Sequence, residues 1–219
     1  KNAKIEGVSV VPHILLEVSQ FPKNEDESNT FWNMLLLKLQ TKTIIAKPRN
    51  DGCSAGVVRL FNKKDFFTYL SLIKDGTLLA KAGTFTNQTN SIHMPECLTD
   101  IVFESFIETD KLKTSGGKIN YTRKSGYIEM TVGVLDGQSD DGMIKALSPS
   151  ITVAENSILS VEEKFQGGTG VNITPPPKEL ISPKNLIKVK GLIEKVAGLV
   201  GIRGYARIDV FVQVATGNI

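Results

Sequence analysis

The sequence predicts an α+β protein of two subdomains, and three observations predict it. Strand-like and helix-like segments follow one another in two sets of different composition. A stretch containing Gly116-Gly117 separates the two sets. Several segments alternate apolar and polar residues with period two, as half-buried strands do. The chain has 219 residues, enough for one large domain or two small ones. The expected organisation is a first subdomain over 1–108, a linker or insertion over 109–126, and a second subdomain over 127–219.

Each element has a local reason. Residues 9–18 read as a strand, with Pro12 marking an edge or a strand start. Residues 23–29 read as a polar, acidic loop, and a helix follows over 30–39 with Phe31, Leu35 and Leu39. Strands at 43–47 and 56–60 flank a glycine-containing loop. Asn62 caps a helix over 63–74, whose stripe is Phe66, Tyr69, Leu70 and Ile73, and Gly76 ends it. Residues 78–98 are polar and show no period, and 101–107 is a strand. Residues 108–125 read as a loop. In 127–135, Ile128, Met130, Val132 and Val134 face one way, and Glu129 and Thr131 the other. A short strand is expected at 150–153, and a long glycine- and proline-rich loop at 159–177. Ser182 caps a helix with Pro183 at its first position. Leu186, Val189, Ile193, Val196 and Val200 form its buried face, and Gly201 terminates it. The strand 205–212 carries Arg207, Asp209 and Phe211 on one face and Ile208, Val210 and Val212 on the other. Residues 216–219 read as a turn entering another strand, and Lys1 opens without a methionine, so the chain reads as a piece of a longer protein.

Composition excludes several functions. The net charge is +3 and the lysines are spread along the chain, which argues against nucleic acid as a partner. No apolar run reaches membrane-spanning length and no signal peptide is visible. Cys53 and Cys97 make neither a disulfide framework nor a zinc set, and His13 and His93 lie far apart. A reducing, non-secretory compartment is expected.

The most informative segment is AKPRNDGCSAGVVRL, residues 46–60. Lys47 stands at a strand end, and Asp51, Gly52, Cys53, Ser54 and Gly56 form the loop that follows. Small residues between glycines let backbone N–H groups approach an anion, while a lysine neutralises it. Asp51-Gly52 between two apolar runs is equally the signature of a hairpin. Further along, Glu129, Lys164, Arg207 and Asp209 are charged positions on or beside strands. Singly, each is an ordinary solvated strand residue. Together with Lys47 they compose a nucleotide site: two lysines for a polyphosphate, Glu129 for ribose hydroxyls, Asp209 for Mg²⁺.

With these motifs the chain resembles the D-alanine–D-alanine ligase family of ATP-grasp carboxylate–amine ligases. The resemblance is carried by residues 46–60, VFESFIE (102–108), YIEMTVGVL (127–135), SVEEKFQGGTGVNITPPP (160–177) and GIRGYARIDVFV (201–212). It implies an ATP-grasp fold with the nucleotide between two α+β subdomains. It implies that Lys47 and the loop 51–56 contact the phosphates, with Lys164 reaching them from the long loop. The backbone of Glu104, Ser105, Phe106 and Ile107 would read adenine, and Glu129 would bind ribose. Arg207 would stabilise the oxyanion, and Asp209 would bind Mg²⁺ or Mn²⁺. The implied reaction joins two D-alanines through an acyl phosphate at the expense of ATP, giving a peptidoglycan precursor. A homodimer in the cytoplasm or an organellar stroma would follow from the family.

Two positions depart from the family pattern: Cys53 where serine is usual, and Phe165 where tyrosine is usual. They leave room for another acceptor, such as D-lactate, or for a non-catalytic nucleotide-binding half of a larger protein. The amino-terminal substrate domain and a Glu-x-Asn strand supplying further Mg²⁺ ligands are expected outside the chain.

Overall fold

The computed structural model describes residues 4–50, 52, 54–96, 98–115, 118–137, 144–153 and 171–219. The chain divides into two units: 11–106, and 1–10 together with 107–219. The described residues 4–10 therefore group with the second set of elements, and so do those of the expected linker. Among the described residues no helix is long and apolar enough to cross a membrane.

The unit 11–106 is a four-stranded antiparallel sheet covered by two helices. Its elements are β1 (His13–Glu17), α1 (Glu25–Leu39), β2 (Ile44–Pro48), β3 (Val58–Leu60), α2 (Lys63–Lys74), a small hairpin of β4 (Leu79–Ala80) and β5 (Ile92–His93), and β6 (Asp100–Ser105). The sheet order is β1-β6-β2-β3. One face carries Ile44, Ala46, Val58, Leu60, Ile101 and Phe103 into the core, where α1 and α2 supply Trp32, Leu35, Leu39, Phe66, Tyr69 and Leu70. Phe66 sits at the centre. Its ring stacks on Phe31 at 6.0 Å, tilts against Trp32 at 5.8 Å and meets Phe103 edge-on at 5.7 Å.

α1 begins five residues before the expected position, because the acidic stretch is its first turn and not a loop. The Asn24 side chain accepts from the Glu27 N–H, and the Glu27 carboxylate accepts from the Lys23 N–H. Glu25, Asp26 and Glu27 also favour the positive end of the helix dipole. α2 has the predicted bounds, with the Asn62 side chain accepting from Asp65 N–H.

The second unit contains β7 (Lys111–Ser115), β8 (Lys118–Thr122), β9 (Tyr127–Leu135), β10 (Lys145–Ala146), β11 (Ile151–Val153), β12 (Val171–Ile173), α3 (Pro183–Leu199) and β13 (Tyr205–Gln213). Its sheets are β10-β9-β13, β11-β12 and β7-β8. Ile128, Met130, Val132, Val134 and Val212 pack against Val189, Ile193 and Ala197 of α3. The Ser182 cap and Pro183 occur as predicted. The buried stripe of α3 runs through Leu192 and Ala197, whereas Val200 is exposed, because it lies past the last helical turn.

Residues 108–125, predicted as a loop, hold the β7–β8 hairpin. Leu112 and Ile119 pack against the core of this unit. The hairpin is fixed at its root by Asp110, which is 7% exposed. Its carboxylate accepts from the Tyr121 hydroxyl and from the N–H groups of Lys124, Ser125 and Gly126. Burial pushes this carboxyl up, but the Tyr121 hydroxyl and the three amides outweigh burial and hold it below the ordinary aspartate value. Burial and the same carboxylate push the Tyr121 phenol up to about 12.

Candidate functional site

In the unit 11–106, strand parity sorts the predicted residues. Ile44, Ala46 and Pro48 are buried, which turns Ile45 and Lys47 to the opposite face of β2. The register sets Lys47 beside Val102 and Ile45 beside Glu104 on β6, so Lys47 and Glu104 are diagonal neighbours on that face. The Lys47 ammonium lies 2.7 Å from the Glu104 carboxylate, with the side chains 38% and 23% exposed. Arg59 of β3 pairs with Ile45 on the same face, and its guanidinium stacks on Phe106 at 3.4 Å and on Phe61 at 4.6 Å.

The glycine loop between β2 and β3 is pinned at its far end. Gly56 has φ +64°, and a Cβ there would meet Pro48 and Pro95 at 3.0 Å, so glycine is required. Its N–H donates to the His93 carbonyl, and its carbonyl accepts from the buried Tyr69 hydroxyl. Burial pushes the Tyr69 phenol well above its ordinary value, so it stays a donor. Ser54 is also left-handed, with φ 59°. The hairpin reading of this segment describes its frame, since β2 and β3 are paired, and Gly56 serves that frame through both backbone groups. Asp51 and Cys53 lie outside the described residues. The expected adenine-reading backbone is engaged as well: Ser105 N–H donates to Pro12 O, and Phe106 N–H to Thr43 O. The Ser105 hydroxyl donates to Leu39 O at the end of α1. The chain passes from one unit to the other between Phe106 and Ile107.

In the second unit the structure brings three predicted residues onto one sheet face. β9 and β13 pair antiparallel, with Arg207 opposite Gly133, Asp209 opposite Thr131 and Phe211 opposite Glu129. Ile128, Met130, Val132 and Val134 are buried, so Glu129, Thr131 and Gly133 take the other face, as do Arg207 and Asp209. The Thr131 hydroxyl donates to Asp209 Oδ1 at 2.6 Å. Thr131 is itself held by reciprocal backbone hydrogen bonds to Ser150. Sequence reasoning missed Thr131 as a site residue, although its parity already set it beside Glu129. Lys164 and Phe165 lie outside the described residues.

The chemistry of this face is legible. A carboxylate fixed by a neutral hydroxyl keeps lone pairs for a hard cation, and one carboxylate is a usual protein share of a Mg²⁺ shell that phosphates complete. The exposed Arg207 guanidinium, in the next same-face row of the register, places a positive charge that could meet a developing oxyanion. Among the described residues no group of three or more His, Cys, Asp or Glu side chains is close enough to hold a metal by itself.

Neither family models nor curated protein sequences give a match. Solved structures do. The D-alanine–D-alanine ligase from Coxiella burnetii aligns with a TM-score of 0.54 and 14% identity over 96% of this chain and 41% of that one. The VanG D-Ala:D-Ser ligase from Enterococcus faecalis gives 0.56 and 14% over 96% and 46%. The biotin carboxylase domain of the Hydrogenobacter thermophilus 2-oxoglutarate carboxylase, solved with MgADP, ADP and bicarbonate, gives 0.52 and 14% over 96% and 34%. The fold is therefore α+β and of the ATP-grasp type, as the resemblance implied, and the chain spans less than half the length of these proteins.

Proposed function

We propose that this chain is the nucleotide-binding part of an ATP-dependent ligase that joins two D-alanines. The observation that carries the reading is the shared face of β9 and β13, where Glu129, Thr131-bound Asp209 and Arg207 stand in alternate cross-strand pairs, the successive rows of that one face. The ATP-grasp fold supports it.

In this reading the γ-phosphoryl group passes to a D-alanine carboxylate, giving an acyl phosphate and ADP. The amine of a second D-alanine attacks the acyl carbon, the C–O bond to phosphate breaks, and inorganic phosphate and a proton leave. Glu129 accepts from the ribose hydroxyls. Lys47, the loop 51–56 and Lys164 hold the phosphates, with Asp51, Gly52, Cys53, Ser54 and Gly56 as the loop members. For Lys47 this means an exchange of its Glu104 partner for phosphate oxygens. The backbone of 104–107 takes the adenine. Arg207 stabilises the negative charge that builds on the acceptor carboxyl. Asp209, oriented by Thr131, would hold Mg²⁺, which screens phosphate charge when bound. The protein would act as a homodimer in the cytoplasm or an organellar stroma.

The test uses the full-length protein with ATP, Mg²⁺ and D-alanine, following phosphate and dipeptide. Arg207→Ala and Asp209→Asn should each lower kcat about 100-fold or more, as loss of a charge-stabilising group does. Full turnover in both variants would sink these assignments. Parallel assays with D-serine and D-lactate decide the acceptor. ATP binding without turnover on any acid would instead support a non-catalytic nucleotide-binding module.

A further inference from the structure

The β7–β8 hairpin is not used by the proposed reaction, yet it holds most of the chain's excess charge. Residues 111–128 contain Lys111, Lys113, Lys118, Arg123 and Lys124 and no acidic residue. That stretch carries +5 while the whole chain carries +3, so the remainder is net negative. The sequence concentrates these basic residues in one stretch, and the fold sets Lys111 and Lys113 on one face of it.

The register explains how. Lys111 pairs with Thr122 and Lys113 with Asn120, while Leu112 pairs with Tyr121 and Thr114 with Ile119. Leu112 and Ile119 turn to the core. Lys111, Lys113, Asn120 and Thr122 share the opposite face and are all exposed. Two basic residues follow at the root. Arg123 is exposed, and Lys124 is ion-paired with Glu108 at 2.9 Å. The Asp110 charge is turned inward and engaged by its four donors, so it does not neutralise this face. Anchoring by Asp110 also means that the ribbon presents its lysines on a fixed frame.

We propose that this face docks an extended acidic segment of a partner protein. Lys111 and Lys113 stand two residues apart on one strand, so they repeat at about 7 Å, the same-face spacing of acidic side chains on an extended chain. Each lysine has a neutral donor directly across the ribbon: the Thr122 hydroxyl for Lys111 and the Asn120 amide for Lys113. A carboxylate placed between strands therefore meets one charge and one hydrogen-bond donor. The face carries no aromatic side chain on which a base could stack, which disfavours single-stranded nucleic acid. It carries no apolar side chain to enter a bilayer, so an anionic membrane would engage it by charge alone, without using the paired Thr122 and Asn120 donors.

The test measures binding of a fluorescein-labelled synthetic peptide alternating Glu and Ser to the full chain at low salt. The Lys111→Glu, Lys113→Glu double variant should bind roughly tenfold more weakly, and added salt should weaken the unsubstituted protein. A charge-matched control, Lys184→Glu with Lys195→Glu on exposed positions of α3, should retain affinity. The neutral pair Lys111→Gln, Lys113→Gln serves if charge reversal disturbs folding, as judged by circular dichroism. The proposal is overturned if the peptide does not bind, or if the control loses as much as the hairpin variant. It is equally overturned if oligo(dT) or phosphatidylserine vesicles bind the hairpin more tightly than the peptide does.

Discussion

The two units solve one packing problem, a sheet covered by helix, with different side chains. In 11–106 the core is aromatic: Phe21, Trp32, Phe66, Tyr69, Phe85 and Phe103 are buried together. In the other unit the buried cluster, among the described residues, holds Ile, Val, Leu, Ala and Met130 and no aromatic side chain. An aromatic core concentrates stabilisation in a few large groups, because each ring removes much surface from water and adds oriented ring contacts. An aliphatic core spreads it over many small ones. What the second unit adds instead is a polar anchor, Asp110, whose hydrogen bonds organise a hairpin with few apolar side chains of its own.

Three substitutions can break or sharpen this contrast. The largest effect is expected from Phe66→Ala, which removes three ring contacts from a fully buried position. It should cost about 3–5 kcal/mol. Urea unfolding followed by Trp32 fluorescence reads it directly, since the single tryptophan lies in the same core. A loss under about 1 kcal/mol would mean that the ring network is not where this unit keeps its stability.

Next comes Asp110→Asn, which should cost about 1–3 kcal/mol locally, because four donors lose a charged acceptor. The folded carboxyl sits below its unfolded value, so its contribution is complete above the unfolded pKa of about 3.9 and is lost as pH falls through the lower folded value. Amide exchange in 111–122 should therefore stay protected at neutral pH and lose protection below about pH 4. The Asn variant should lack that acid-dependent step. Protection that falls equally in both proteins would show that another group anchors the hairpin.

The smallest effect is expected from Tyr69→Phe. It removes the donor to Gly56 O and leaves a carbonyl unsatisfied, at about 1 kcal/mol in the same Trp32 assay. No change at all would mean that water reaches that carbonyl, and that the glycine loop is less tightly tied to the aromatic core than its geometry implies.

Local chemistry made much of this fold legible. Asn62 and the stripe Phe66, Tyr69, Leu70 fixed α2, Ser182-Pro183 fixed the start of α3, and strict alternation fixed β9. The start of α1 is equally written in Asn24 and Glu27, but a run of acids is common to polar loops and first helical turns, and only the capping geometry separates the two. The β7–β8 hairpin escaped because only Leu112 and Ile119 mark its inner face, too few for a period to emerge. In the candidate site, parity alone placed Glu129, Arg207 and Asp209 on outward faces. The pairings of Lys47 with Glu104 and of Thr131 with Asp209 depend on register between strands distant in sequence, for which no local signal exists.

β13 has one further consequence. Ile208, Val210 and Val212 point inward because Arg207, Asp209 and Phe211 point outward, so a single inserted or deleted residue between Tyr205 and Asp209 would invert the remainder of the strand. The Arg207 and Asp209 side chains would turn into the hydrophobic interior, and the face they now share with Glu129 and Thr131 would lose them. Side chains along this strand can be exchanged one at a time, but a change of its length there would disturb the core and the outward polar row together.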